Sequence, residues 1–166
     1  MKNKLSDIAS IAEIIGAIAI VISLIFVGVQ LEGNTQATRS ASAIAASTAT
    51  SQWYVALASS ERNSILFRDF ITDPDSLTTE ERYQAIMNLH GAIIIWQNNF
   101  YLGQEGTLDP RIKDSVTETI AIIKDRPGWQ MYWEQRRSVF FPEFQSYVDE
   151  LMLSDKHQSA GTIYDE

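Results

Sequence analysis

The chain has two histidines, His90 and His157, and no cysteine. Acid–base chemistry would therefore turn first to His90 and to carboxylates. The absence of cysteine excludes disulfides, thiolate zinc sites and iron–sulfur clusters. A zinc or di-iron site in a helical bundle uses ligands such as Glu-x-x-His on inward faces. His90 has Met87 three residues before it and Ile93 three after, so neither a metal site nor a cofactor is expected. His157 falls in a polar tail. The carboxylate pairs Glu80-Glu81 and Asp149-Glu150 sit on expected exposed helix surfaces, and the first suits a helix start. No G-x-S-x-G, glycine-rich phosphate loop or dinucleotide fingerprint occurs, and Gly103-Gln104-Glu105-Gly106 reads as a loop. A serine nucleophile would have only His90 as its base. An enzyme pairing His90 with a carboxylate is one reading, but no residue is assigned as catalytic. The ordinary expectation is a hydrogen-bonded histidine beside the apolar stripe of its helix, with Gln97, Asn98 or Asn99 as neighbours.

The densest aromatic stretch is Trp129, Tyr132, Trp133, Arg136, Arg137, Phe140 and Phe141. Trp, Tyr and Arg dominate binding hot spots, so Trp129, Tyr132, Trp133, Arg136 and Arg137 are the candidate interaction surface. The competing expectation is bundle core, with Arg136 and Arg137 paired to acids.

The elements that would position these residues begin with an apolar segment. Ile8 to Leu31 carries a single charge, Glu13, and between Ile14 and Val29 the sole polar side chain is Ser23. As a helix it would reach roughly 30 Å or more, the thickness of a hydrocarbon core. It lacks the polar stripe of a soluble surface helix. A membrane anchor is expected. Two alternatives stay open: a cleaved signal peptide ending near Ala41-Ser42-Ala43, and a helix buried inside a soluble oligomer. Ala9, Ala12, Gly16, Ala19 and Ser23 recur at spacings of three and four, a seam that lets two helices approach closely in lipid. Glu13 lies near that seam, close enough to the helix start to reach the headgroups. Lys2 and Lys4 precede the span and Arg39 follows it, which favours the main domain outside the cytoplasm.

The stretch AEIIGAIAIVISLIFVGVQLEGNT (residues 12–35), with DPDSLTTEER (73–82), YWEQRR (132–137) and FFPEF (140–144), resembles a family of small uncharacterised bacterial single-span membrane proteins. The resemblance spans most of the chain. It implies a membrane-anchored helical protein and brings no activity, so no functional residue is carried over. Members of that family often have more Arg just after the span, which would favour the opposite orientation; this chain has only Arg39 there.

The rest reads as helices. Residues 34–60 suggest a thin apolar face through Ile44, Thr48 and Val55, or a flexible linker, with Gly33-Asn34 as a possible break. Ile65, Leu66, Phe67, Phe70 and Ile71 form a short helix ended by Asp73-Pro74-Asp75. Thr78 and Glu81 make a capping box. The helix that follows carries Ile86, Leu89, Ile93, Trp96 and Phe100, widened by Tyr83, Ile94 and Tyr101, with Gly103 as its stop. Asp109-Pro110 opens a helix striped by Ile112, Val116, Ile120 and Ile123, which Arg126-Pro127-Gly128 ends. A short aromatic helix covers 129–139. Ser138 caps the last helix, which starts at Phe141-Pro142 and is striped by Phe144, Tyr147, Val148 and Leu151.

The expected fold is all-α: one N-terminal transmembrane helix, then a bundle of about five helices. Its divisions are an anchor (1–33), a bundle domain (34–153) and a flexible polar tail (154–166). The net charge of -8 falls wholly in residues 61–166, with 10 basic and 18 acidic groups, which makes nucleic acid a poor partner. The function expected is a membrane-anchored interaction or scaffold protein in the bacterial inner membrane, partnered by the bilayer and by copies of itself or another membrane subunit. A lipid or small apolar ligand-binding module is the runner-up.

Overall fold

The computed structural model describes residues 2–154, with side chains outside residues 2–9 and 116–117. It is all-α, with no strand among the described residues. The helices are α1 (Lys2–Ala58), α2 (Glu61–Thr72), α3 (Thr79–Gln104), α4 (Pro110–Ile123), α5 (Pro127–Arg136) and α6 (Pro142–Leu153), with 3-10 turns at Pro74–Ser76 and Arg137–Val139. One long helix followed by five others is the expected architecture. The tail beyond Ser154, His157 included, lies outside the described residues.

Contacts divide the chain into two units, one through Arg39 and one from Ser40 onward. The first is helical, and α1 runs through Gly33-Asn34 without a break. From Ser10 it is apolar and long enough to cross a membrane. Large apolar side chains point outward on every side of it, from Ile11 at 57% exposure through Leu24 at 67% to Leu31 at 62%.

In the second unit the core gathers one face of each helix. Leu66, Phe67, Phe70 and Ile71 come from α2; Ile86, Leu89, Ile93, Trp96 and Phe100 from α3; Ile120 and Ile123 from α4; Trp129, Tyr132 and Trp133 from α5; Phe144, Val148 and Leu151 from α6. The end of α1 joins through Trp53 and Leu57, which pack partly buried against that core. Trp53 is fixed by a bond from its Nε1 to Asn88 Oδ1 (2.9 Å).

The helix boundaries follow local chemistry. Thr78 accepts from the Glu81 N–H at 3.3 Å, and Glu81 reaches back to the Thr78 N–H at 3.1 Å, closing the capping box at the start of α3. Asp109 accepts from the Arg111 N–H (2.9 Å) and Pro110 opens α4. At the end of α3, Gly106 takes φ +68°, and the Thr107 and Gly106 N–H groups bond to Leu102 O and Gly103 O. That is a Schellman closure.

Five details depart from the sequence expectation. Gly106, not Gly103, stops α3. Gly103 lies inside the helix, with the Lys113 side chain over it. Ile44 and Val55 are exposed, and the inward line of α1 runs through Ala46, Trp53 and Leu57 instead. Tyr83, Ile94 and Tyr101 do not widen the α3 face but point outward. Ser138 caps nothing: it lies in the 3-10 turn before α6, whose N-cap is Phe141 without a side-chain bond. Helix α4 ends at Ile123, before Arg126, and Pro127 with Gly128 begin α5 instead.

Candidate functional site

The three aromatic members of the candidate interaction surface lie in the core. Trp129 and Tyr132 are fully buried and Trp133 is 4% exposed. Three of the five residues therefore offer nothing to a partner. The cause is the stacking of α5: Trp129 lies nearly parallel to Trp133 (8°, centroids 5.8 Å), and Trp133 continues onto Phe140 (17°, 5.7 Å). Packing of this kind removes large apolar area from water, and that gain outweighs exposure for binding.

The two arginines remain half-buried. Arg137 clamps Asp149 of α6: its Nε donates to Oδ2 at 2.9 Å and its Nη2 to the same oxygen at 2.6 Å, while Nη1 donates to Gln145 Oε1 at 2.6 Å. Trp133 Nε1 donates to Asp149 Oδ1 at 2.8 Å. These bonds, the Arg137 ones first, hold the Asp149 carboxyl below the usual carboxylate range. Asp149 was expected on an exposed face; it is the joint between α5 and α6. Nothing in its spacing marks it, because its partners sit 12 and 16 residues earlier in the chain.

His90 has a partner on another helix, rather than Gln97, Asn98 or Asn99 of its own. Its Nδ1 lies 2.6 Å from Tyr132 Oη. Burial raises the Tyr132 hydroxyl well above the ordinary tyrosine range, with nearby Arg136 opposing. The phenol therefore keeps its proton, and the short contact is a hydrogen bond between a neutral phenol and His90 whose direction is set by the imidazole tautomer. Burial, then the charge of Arg136, lowers the His90 pKa. No carboxylate bonds to His90 among the described residues, so the His–carboxylate pair an enzyme would use is not the pair formed. Gln97 instead accepts from the Phe141 N–H at the start of α6 (2.9 Å).

This pair has a pH consequence. The unfolded chain takes up a proton on His90 in the ordinary histidine range, whereas the folded chain resists until lower pH. The stability it contributes is complete above the unfolded value and is lost as pH falls through the depressed folded value. Melting temperature is expected to fall between neutral and mildly acidic pH, and His90→Gln should flatten that stretch of the curve. Tyr132→Phe should cost about 1 kcal/mol at neutral pH. Circular-dichroism melts of the full chain in detergent read both. Asp149 loses its contribution only lower, in and below the carboxylate range, so the two effects separate.

In the first unit, Ala12, Gly16, Ala19 and Ser23 share one face of α1 at 100° per residue, and nothing comes within 4 Å of a Cβ built on Gly16. The side chain of Ala9 lies outside the described residues. Among the described residues no group of three or more His, Asp or Glu side chains could hold a metal ion.

No family model, curated protein or solved structure matches the chain.

Proposed function

We propose that the chain is a single-pass protein of a bacterial inner membrane that anchors an acidic helical domain outside the cytoplasm and works by contact with copies of itself or with another membrane subunit. The observation that carries this reading is the outward apolar surface of α1. Thirteen large apolar side chains between Ile11 and Leu31 are 45% to 67% exposed. At about 1.5 kcal/mol each, leaving them in water forgoes on the order of 20 kcal/mol. That exceeds the whole stability of an ordinary domain, so a medium must cover them, and a bilayer covers all sides at once. The small-residue face through Ala12, Gly16, Ala19 and Ser23 supports close contact with a second helix. Lys2 and Lys4 ahead of the span against Arg39 behind it support the orientation.

Alkaline carbonate washing of vesicles tests the anchor. The intact chain is expected to stay with the membrane. Ile18→Asp with Ile22→Asp, each costing about 3 kcal/mol at mid-span, should shift it to the supernatant or to aggregates. Release of the unaltered chain by the wash would sink the reading. Co-purification of two differently tagged copies, lost on Gly16→Leu, tests the contact.

A further inference from the structure

Helix α3 has no Asp, Glu, Lys or Arg from Tyr83 to Gln104, in a chain with 21 acidic and 13 basic residues. One side of that stretch is core. The other faces outward and is equally free of such residues, whereas a surface helix ordinarily sets charge opposite its apolar stripe. The outward line runs Gln84, Met87, Gly91, Ile94, Asn98 and Tyr101. Their spacing alternates between three and four, the seam of packed helices. Met87 is half-buried and the other five are exposed. Tyr83, Ile94 and Tyr101 are 62%, 43% and 54% exposed. The bond from the Phe141 N–H to Gln97 brings the exposed Phe141 alongside. These four large side chains leave on the order of 400 Å² of mostly apolar surface in one strip, the size of a binding patch.

This strip is complementary to itself. Lay it antiparallel on a second copy, with the two-fold axis midway between Ala92 and Ile93. Gly91 then faces Ile94 of the second copy, Met87 faces Asn98, and Gln84 faces Tyr101. By symmetry each pairing occurs twice. Nothing lies within 4 Å of a Cβ built on Gly91, so the glycine is a hole and Ile94 the knob that fills it. The Gln84 amide can bond the Tyr101 hydroxyl. Glu80 and Glu105 end the strip about 19 Å from the axis, at a solvent rim where salt screens their repulsion. Other occupants fit less well. A helix that lies on a bilayer carries Lys and Arg around its apolar face, and this one ends in acids. A basic protein drawn to a chain of net charge -8 would seek its carboxylates, not the one helix face without them.

We propose that the outward face of α3 binds the same face of a second copy, antiparallel, with Gly91 and Ile94 interlocked at the centre. This rests on the reading of the chain as a self-associating membrane protein. The strip buries on the order of 800 Å² over both copies, the low end of specific interfaces. It suffices where one membrane already holds the copies at high effective concentration.

The chain has no cysteine, so introduced thiols report without background. Two differently tagged full-length copies, one with Met87→Cys and the other with Asn98→Cys, are co-expressed and treated in native membranes with a short bismaleimide. The mixed pair is expected to cross-link. Neither variant alone should do so, because like positions stand about 16 Å apart along the antiparallel helices. Gly91→Gln, which fills the hole, and Ile94→Glu, which adds charge beside the axis, should each cut the mixed cross-link about tenfold. Both sites are exposed, and a circular-dichroism melt checks that each variant folds. A mixed cross-link that survives Gly16→Leu supports the α3 face independently of the α1 seam. Tagged copies that co-purify without the mixed cross-link overturn this proposal and leave self-association standing. Cross-linking of Met87→Cys with itself, or a mixed cross-link untouched by Gly91→Gln and Ile94→Glu, also overturns it. So does an Ile94→Cys thiol that vesicles shield from a water-soluble maleimide when no cross-link forms, which would assign the face to the bilayer.

Discussion

Gly128→Ala is expected to unfold the unit from Ser40 onward, or to cost it at least about 3 kcal/mol, at the upper end of what overpacking costs. A Cβ built on Gly128 would lie 2.0 Å from Phe70 O, 2.8 Å from Phe70 C and 2.9 Å from the Ile71 Cα. All three are backbone atoms at the end of α2, so no side chain can swing aside. Relief requires moving α5 off α2, and the residues beside the contact, Phe70, Ile71 and Trp129, are fully buried. The sign makes the test clean. Helix propensity alone favours Ala over Gly by about 1 kcal/mol, so a merely local effect would stabilise. Gly91→Ala is the control: it is exposed in α3 with nothing within 4 Å of the new methyl group. That change should raise stability by about 0.5–1 kcal/mol. Urea unfolding followed by circular dichroism reads both, and a Gly128→Ala protein as stable as the parent would show that α5 does not rest on the α2 backbone.

Gly128 also shows what a sequence can and cannot disclose. The proline beside it marks a boundary from the chain alone, but the need for a missing side chain depends on α2, more than fifty residues away. Local signals translated well. The Thr78–Glu81 box and Asp109-Pro110 depend only on neighbours, and both start helices as their chemistry dictates. The α3 stripe was legible because Ile86, Leu89, Ile93, Trp96 and Phe100 are large and periodic. The inward line of α1 was not. Ala46 is too small to register against Ile44 and Val55, and it is buried for its size rather than its hydrophobicity. The choice of Gly103 over Gly106 failed because glycine is also tolerated inside a helix, and only the backbone angle separates the two.

The burial of Trp129, Tyr132 and Trp133 was not legible for a different reason. Trp, Tyr and Arg are the residues of both hot spots and aromatic cores, so composition cannot separate the two. What separates them for three of the five is partner supply. Trp133 has Asp149, Tyr132 has His90 and Arg137 has Asp149 with Gln145. A polar handle satisfied inside the chain is not held in reserve for another. The alternative of core with paired arginine was correct for Arg137. The Asp149 clamp and the His90–Tyr132 pair tie α6 and α3 to α5, which makes α5 the element on which the domain is assembled.

The deepest test of that view is Trp129→Ala, expected to cost about 3–5 kcal/mol. Trp129 is fully buried, and its ring meets Trp133 at 5.8 Å, Tyr132 at 6.1 Å and Trp96 at 6.4 Å. Truncation opens a cavity where three other rings converge and takes up about a fifth or more of the stability of a typical domain, about 5–15 kcal/mol. The conservative variants sharpen the argument. The Trp129 Nε1–H finds no acceptor among the described residues, so Trp129→Phe loses volume but also sheds an unsatisfied buried donor. The Trp133 Nε1–H donates to Asp149, so Trp133→Phe removes the same atoms and a good hydrogen bond with them. Trp133→Phe should therefore be the costlier of the two, by about 1 kcal/mol. Equal costs in urea unfolding would mean that the Trp133–Asp149 bond adds nothing. A cost under about 1 kcal/mol for Trp129→Ala, far below that of an ordinary core truncation, would remove α5 from the centre of the core and return its aromatic face to the surface.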